Sequence, residues 1–289
     1  MAPVQLSTKV DVLSIAGAEI DLALPEGPMA LSRKEITGWV EDCARAVKAY
    51  YGRVPVERMR IVVMRTEGRG IEGGQTFGQE GSALIRVELG ARADAADLAR
   101  DWVLTHEMVH TAMPNLPRQN LWLEEGLATY VEPIARAQAG LESAEDVWRQ
   151  LVVGLPQGQP AQGDRGLDRT ATWGRTYWGG ALFCLLADVG IRERTENRLG
   201  LQDALRQGVA DGSTILTESP IDRVLARADA AVGVPVLSEL YARHATRAET
   251  VDLDALWRKL GVSMRRGRVE FDDSAPLAQV RRAITKAER

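Results

Sequence analysis

His106, Glu107 and His110 lie within five consecutive positions, and together they could hold and use a metal ion. On an α-helix, residues four apart share a face, so the two imidazoles can close on one ion. Glu107, between them, can reach a water on that ion. This His-Glu-x-x-His order supplies two nitrogen ligands and a general-base carboxylate, the pattern of a hydrolytic zinc site. Such a site needs a third protein ligand and leaves a fourth position to water. Glu125 is the candidate, on a second helical stretch beyond the turn at Pro114 and Pro117. Spacing alone does not separate it from Glu124, which could equally be the ligand beside a surface acid. The bland alternative is a pair of core histidines on an apolar face. It must account for the match in a chain of three histidines and for the acid-glycine block that follows.

The match extends past the five residues. A helix, a proline-rich turn and Leu121-Trp122-Leu123-Glu124-Glu125-Gly126-Leu127-Ala128-Thr129-Tyr130 follow in order. This resembles the gluzincins, and within them the alanyl, leucyl and glycyl aminopeptidases, whose block reads Trp-Leu-x-Glu-Gly-Phe-Ala-x-Tyr. The resemblance implies that Glu125 is the third zinc ligand, and that one Zn2+ binds per chain through His106, His110 and Glu125. Fourteen residues separate His110 from Glu125, a shorter bridge than the large aminopeptidases carry. Tyr177-Trp178-Gly179-Gly180 lies 52 residues beyond Glu125 and resembles the family's Tyr-x-Lys-Gly block, with Gly179 in place of the Lys. The resemblance makes the Tyr177 phenol the oxyanion donor; the alternative is a buried aromatic on an apolar helix. Tyr130, Tyr241 and His244 are the next candidates, although His244 reads as a solvated or capping residue. Asn120 or Thr129 could orient a histidine. The family's amine-binding strand, Gly-x-Met-Glu-Asn, has its nearest counterpart at Gly73-Gly74-Gln75-Thr76-Phe77-Gly78, which contains no acid; Glu72 and Glu80 only flank it.

These residues need elements to carry them. Val10 to Leu24 alternates around Ala16-Gly17 and predicts a hairpin. Ser32-x-x-Glu35 is a capping box that opens a helix over 33–51. Residues 59–65 predict a central strand. The glycines between 66 and 82 lack the Gly-Lys-Ser/Thr ending of a phosphate cradle and predict a flexible loop beside a cleft. Residues 83–89 alternate as an edge strand with one solvated face, and the resemblance places such a strand along the substrate. One helix capped by Asp94 is expected to carry Leu98, Trp102, His106, Val109, His110 and Met113 on one stripe. The Glu125 helix starts near 120 and is interrupted near Pro133. Gly179-Gly180 suggests close packing, with substrate as one partner. Beyond 142, helices are expected at about 143–153, 174–195, 201–210, 219–231, 235–247, 252–260 and 275–287. A polar loop is expected at 155–172 and a small hairpin near Gly267.

The fold class is therefore α+β. The resemblance implies a thermolysin-like zincin domain, with a small mixed sheet and active-site helices, followed by a mostly helical half. The division falls at residues 1–140 and 141–289, with the cleft between them. Of the 289 residues 45% are hydrophobic, enough for a core, and the net charge is −4. No basic block points to nucleic acid, and no apolar run is long enough for a membrane span. Cys43 and Cys184 read as buried free thiols. Met1-Ala-Pro-Val-Gln5 reads like a processed start: periplasmic or secreted if Met1 replaces a removed signal peptide, cytoplasmic otherwise. The function implied is a zinc metallopeptidase acting on peptides or proteins, with Glu107 as base and with aminopeptidase action suggested by the Glu125 block. The alternatives are a peptidase-like metal-binding protein with little turnover and a zinc hydrolase of a non-peptide bond.

Overall fold

A computed structural model describes residues 6–286 apart from Ala16, with side chains from Val10 onward. Met1–Gln5, Ala16 of the expected turn and Ala287 of the expected last helix lie outside the described residues. Strands β1 (Leu6–Ile15) and β2 (Ala18–Pro25) pair antiparallel beside Gly17, whose φ of 90° suits glycine. Helix α1 (Arg33–Tyr51) opens with the expected box: the Ser32 hydroxyl accepts from the Glu35 N–H, and the Glu35 carboxylate accepts from the Ser32 N–H. Strands β3 (Arg58–Thr66), β4 (Ile71–Gln79) and β5 (Ser82–Gly90) complete a sheet of order β1-β2-β3-β5-β4. β2, β3 and β5 run parallel, while β1 and β4 are antiparallel edges.

Two expectations change here. The glycine-rich stretch is strand β4 rather than a flexible loop. A Cβ at Gly74 would meet the Glu107 side chain at 2.5 Å, and one at Gly78 would meet the Ile215 carbonyl at 2.3 Å. Glycine in this strand marks close approach by other groups, not mobility. In consequence 83–89 is not an edge: β5 lies between β3 and β4. Its alternation was legible, since Ala83, Ile85, Val87 and Leu89 are fully buried and Arg86 is exposed. The partner covering its free edge was not.

The stripe expected on one helix is split between α2 (Ala95–Ala99) and α3 (Val103–His110). Asp101 makes the break. Its buried carboxylate accepts from the Val103 and Leu104 N–H groups at 2.8 and 3.2 Å, and from the Trp39 indole at 2.9 Å. It thereby satisfies the first free amides of the helix that carries both histidines. Trp102 leaves the stripe and is largely exposed.

Helix α4 (Leu121–Gln138) runs through Pro133 without interruption. Val131, Ile134 and Ala135 are buried on both sides of the proline, so packing outweighs the lost hydrogen bond. The remaining elements are α5 (Ala144–Gly154), α6 (Gly180–Arg194), α7 (Leu201–Ala210), α8 (Ile221–Val232), α9 (Val236–His244), α10 (Leu253–Leu260), the β6–β7 hairpin (Val262–Arg265, Arg268–Phe271) and α11 (Ala278–Thr285). The expected polar loop contains short 3-10 turns at Leu155–Gly158 and Leu167–Arg169, anchored by buried Leu155 and Leu167. Both cysteines are buried and free. The buried apolar residues form one cluster with members on both sides of residue 140.

The helix expected from 174 begins as a π turn, Arg175–Gly179, before α6. α6 then crosses α4 with backbones almost touching. A Cβ on Gly126 would lie 2.2 Å from the Gly180 Cα, and one on Gly180 would lie 2.0 Å from the Trp122 carbonyl oxygen. The close packing expected at Gly180 is thus a helix crossing.

The crossing predicts the effect of Gly180→Ala. Alanine favours a helix over glycine by about 1 kcal/mol. Overpacking a close contact costs about 1–3 kcal/mol or more and should win. Thermal denaturation should show a melting temperature several degrees lower; an unchanged or raised one would mean that the helices separate freely.

Candidate metal centre

α3 and α4 bring His106, His110 and Glu125 together, with one ligand atom of each within 4.8 Å of the others. The Glu125 carboxylate stands 3.3 Å from His106 Nε2 and 3.5 Å from His110 Nε2. These separations exceed the usual 2.7–2.9 Å or so of a charged hydrogen bond. They match the edge of a tetrahedron: bonds of about 2.0–2.1 Å place neighbouring zinc ligands about 3.3–3.4 Å apart. Glu124 takes a different part. Its carboxylate accepts from the Leu116 N–H at 2.7 Å and ties down the bridge between the helices.

The electrostatics also suit a cation. Burial works to raise the Glu125 pKa, but its contacts with both imidazoles outweigh this and lower it to about 2. Burial lowers the pKa of His106. In His110 burial acts the same way, but Glu125, Glu107 and Glu124 outweigh it and raise the pKa. A half-buried anion beside two imidazoles draws positive charge, and a divalent ion on neutral imidazoles supplies it. The donor set therefore fits zinc.

Around these three residues lies a cleft of about 520 Å³. Its walls are β4 from Ile71 to Phe77, helix α3, the start of α4, Tyr177 and Ile215. β4, not the 83–89 strand, borders the cleft. Glu107 is buried and faces β4, where the Thr76 hydroxyl lies 2.6 Å from its carboxylate. Tyr177 sits in the π turn, its ring stacked between those of His106 and Trp173, with centroids 6.4 and 5.7 Å away. Burial, with Glu125 and Glu107 nearby, pushes its pKa up to about 12, so the phenol keeps its proton. A second cavity of about 320 Å³ abuts His106 and Tyr177, with Trp102, Trp173 and Trp178 in its wall.

Several expected residues stand elsewhere. Asn120 donates to Asp168 at 2.9 Å, and the Thr129 hydroxyl donates to the Glu125 backbone carbonyl at 2.7 Å. Neither is hydrogen-bonded to a histidine. Tyr130 donates to Asp188, and Tyr241 donates to Asp168. His244 is buried at the end of α9, neither solvated nor in the group formed by His106, His110 and Glu125. The contacts of Thr76 and Gly74 with Glu107, and the capping of α3 by Asp101, are not expected from the sequence. The available signal was Gly74-x-Thr76-x-Gly78, small residues on one face of a strand.

No family model matches the sequence, and no curated protein matches it significantly. Solved structures do match. An aminopeptidase N family protein from Idiomarina loihiensis superposes with a TM-score of 0.62 at 16% identity, over 88% of this chain and 49% of that one. An M1 zinc metallopeptidase from Deinococcus radiodurans gives 0.51 at 16% identity, over 86% and 54%. A mutant from the same organism, bound to a Tyr-Ser-Ala substrate, gives 0.53 at 14% identity, over 84% and 53%. The fold is that of the M1 zinc metallopeptidases. At these identities the likeness is one of fold, and the chain spans about half the length of those structures.

Metal analysis checks the ligand set. Wild-type protein loaded with zinc and dialysed should retain one ion per chain, and His106→Ala and Glu125→Ala should each lose it. Undiminished zinc in either variant would remove that residue from the site.

Proposed function

We propose that this chain is a zinc metallopeptidase of gluzincin type that hydrolyses peptide bonds. The observation that carries the reading is the convergence of His106, His110 and Glu125 in one cleft with Glu107 and Tyr177. His106, His110 and Glu125 would hold the ion. Zinc supplies Lewis-acid polarisation of the scissile carbonyl and a water whose pKa is lowered to about 7. Glu107 takes the proton of the attacking water and passes it to the leaving nitrogen. Tyr177, protonated at neutral pH, donates to the oxyanion as it forms. The outer edge of β4 has no strand partner among the described residues and lies along the cleft, which suits an extended peptide adding as a strand.

The same strand bears on exopeptidase action. The stretch from Gly73 to Gly78, nearest to the amine-binding segment that the resemblance expects, contains no acid, and its Thr76 hydroxyl is engaged with Glu107. We infer that cleavage does not depend on a free amino terminus. A peptide-library digest by zinc-loaded protein, read by mass spectrometry, tests both points. Internal cuts, and equal cleavage of N-acetylated and free peptides, are expected. Trimming confined to free N-termini would restore the aminopeptidase reading; no cleavage at all would leave a metal-binding protein or a hydrolase of another bond.

Glu107→Gln should keep its zinc and lose about 10²–10⁴-fold in turnover, as for removal of a general base. Comparable turnover with metal bound would exclude that role. Tyr177→Phe keeps the ring and its stacking. Its kcat should fall roughly 10²–10³-fold with KM nearly fixed, as for loss of one oxyanion donor. A raised KM with unchanged kcat would instead make Tyr177 a substrate contact.

A further inference from the structure

The Glu107 carboxylate is lodged against β4, and two features of that strand hold it there. At position 74 there is no side chain: a Cβ would fall 2.5 Å from Glu107 Cγ and 2.9 Å from Oε1. At position 76 there is a hydroxyl, 2.6 Å from Glu107 Oε2. Residues 74 and 76 share a face of the strand, so Gly74 opens a space and the Thr76 side chain supplies a donor at consecutive positions on one side. We propose that Thr76 is a positioning residue for the reaction: it occupies Oε2 of Glu107 and so fixes the rotamer in which Oε1 meets the proton to be moved. This rests on the metallopeptidase reading only in giving Glu107 a proton to move.

A competing use of the hydroxyl exists. The same Thr76 oxygen is 2.9 Å from the backbone carbonyl of Glu107, in the last turn of α3. The Thr111 N–H there turns to the Met108 carbonyl, leaving the Glu107 carbonyl in need of a donor. One hydroxyl has one proton, so the acceptors compete. The carboxylate contact is shorter, and a charged acceptor makes a bond roughly twice as strong as a neutral one. The carboxylate therefore takes the proton. Fixing one carboxylate oxygen matters because misplacing a reacting group by about 1 Å can cost about a hundredfold in rate.

Thr76→Val keeps the side-chain shape and suits a strand, but lacks the donor. Thr76→Ser keeps the donor. Zinc-loaded wild type and both variants would be compared by steady-state kinetics, metal analysis and crystal structure. Thr76→Val is expected to hold full zinc, to lose about 10–100-fold in kcat with KM within about threefold, and to release the Glu107 carboxylate from β4. Thr76→Ser is expected to keep the carboxylate in place and most of kcat. Wild-type kcat in Thr76→Val, or a carboxylate that keeps its place in that structure, overturns the proposal. If wild type cleaves no peptide, the metallopeptidase reading falls by itself, and the crystal structures still decide whether Thr76 holds Glu107.

Discussion

A carboxylate withdrawn from water beside two imidazoles is the contact on which the rest of this structure turns. Glu125 is costly to bury unless positive charge meets it, and His106 and His110 stand on another helix. Two helices must therefore be held at a separation that an ion can bridge. α3 is held at its start by Asp101, which links its first amides to Trp39 of α1. α4 is held at its start by Asp168, which accepts from Asn120, Trp122 and Tyr241. Further along, Tyr130 of α4 donates to Asp188 of α6, which also pairs with Arg192. Buried polar links of this kind have little freedom to slide, because each broken bond strands a group away from water.

The contact between Gly126 and Gly180 adds a second consequence. Glycine on both helices allows α6 to approach until backbone touches backbone. The π turn just before α6 then carries Tyr177 over the same face as Glu125 and His106. Single π turns often mark functional sites, where one added residue re-aims a side chain. In the Glu125-Gly126 pair the two residues thus do different things: the acid faces the histidines, and the glycine admits the helix that brings the tyrosine.

The opposite wall of the cleft is a sheet edge. β4 ends the sheet, presents Gly74 and Thr76 to α3, and has no strand partner on its outer edge among the described residues. A glycine-rich composition here reflects the closeness of a helix, not looseness of the chain. The strand that lies along the cleft is thus also the one that touches the proposed base.

Much was determined within short windows of sequence. The His106–Glu107–His110 spacing, the Ser32 capping box and the α1 boundaries depend on contacts between residues a few positions apart, and all appear as expected. The period-2 pattern of 83–89 likewise told which side of the strand is buried. Tertiary structure decided the rest, because the deciding partners are distant in sequence. Whether 83–89 is an edge depends on β4; whether 66–82 is a loop depends on α3 and Ile215; whether Pro133 stops α4 depends on what packs around it. Glu125 could not be told from Glu124 by spacing, since adjacent helical residues point about 100° apart and only the position of α3 says which direction holds the histidines. Composition and periodicity carry local geometry. The distance between two backbones is a property of the packed chain.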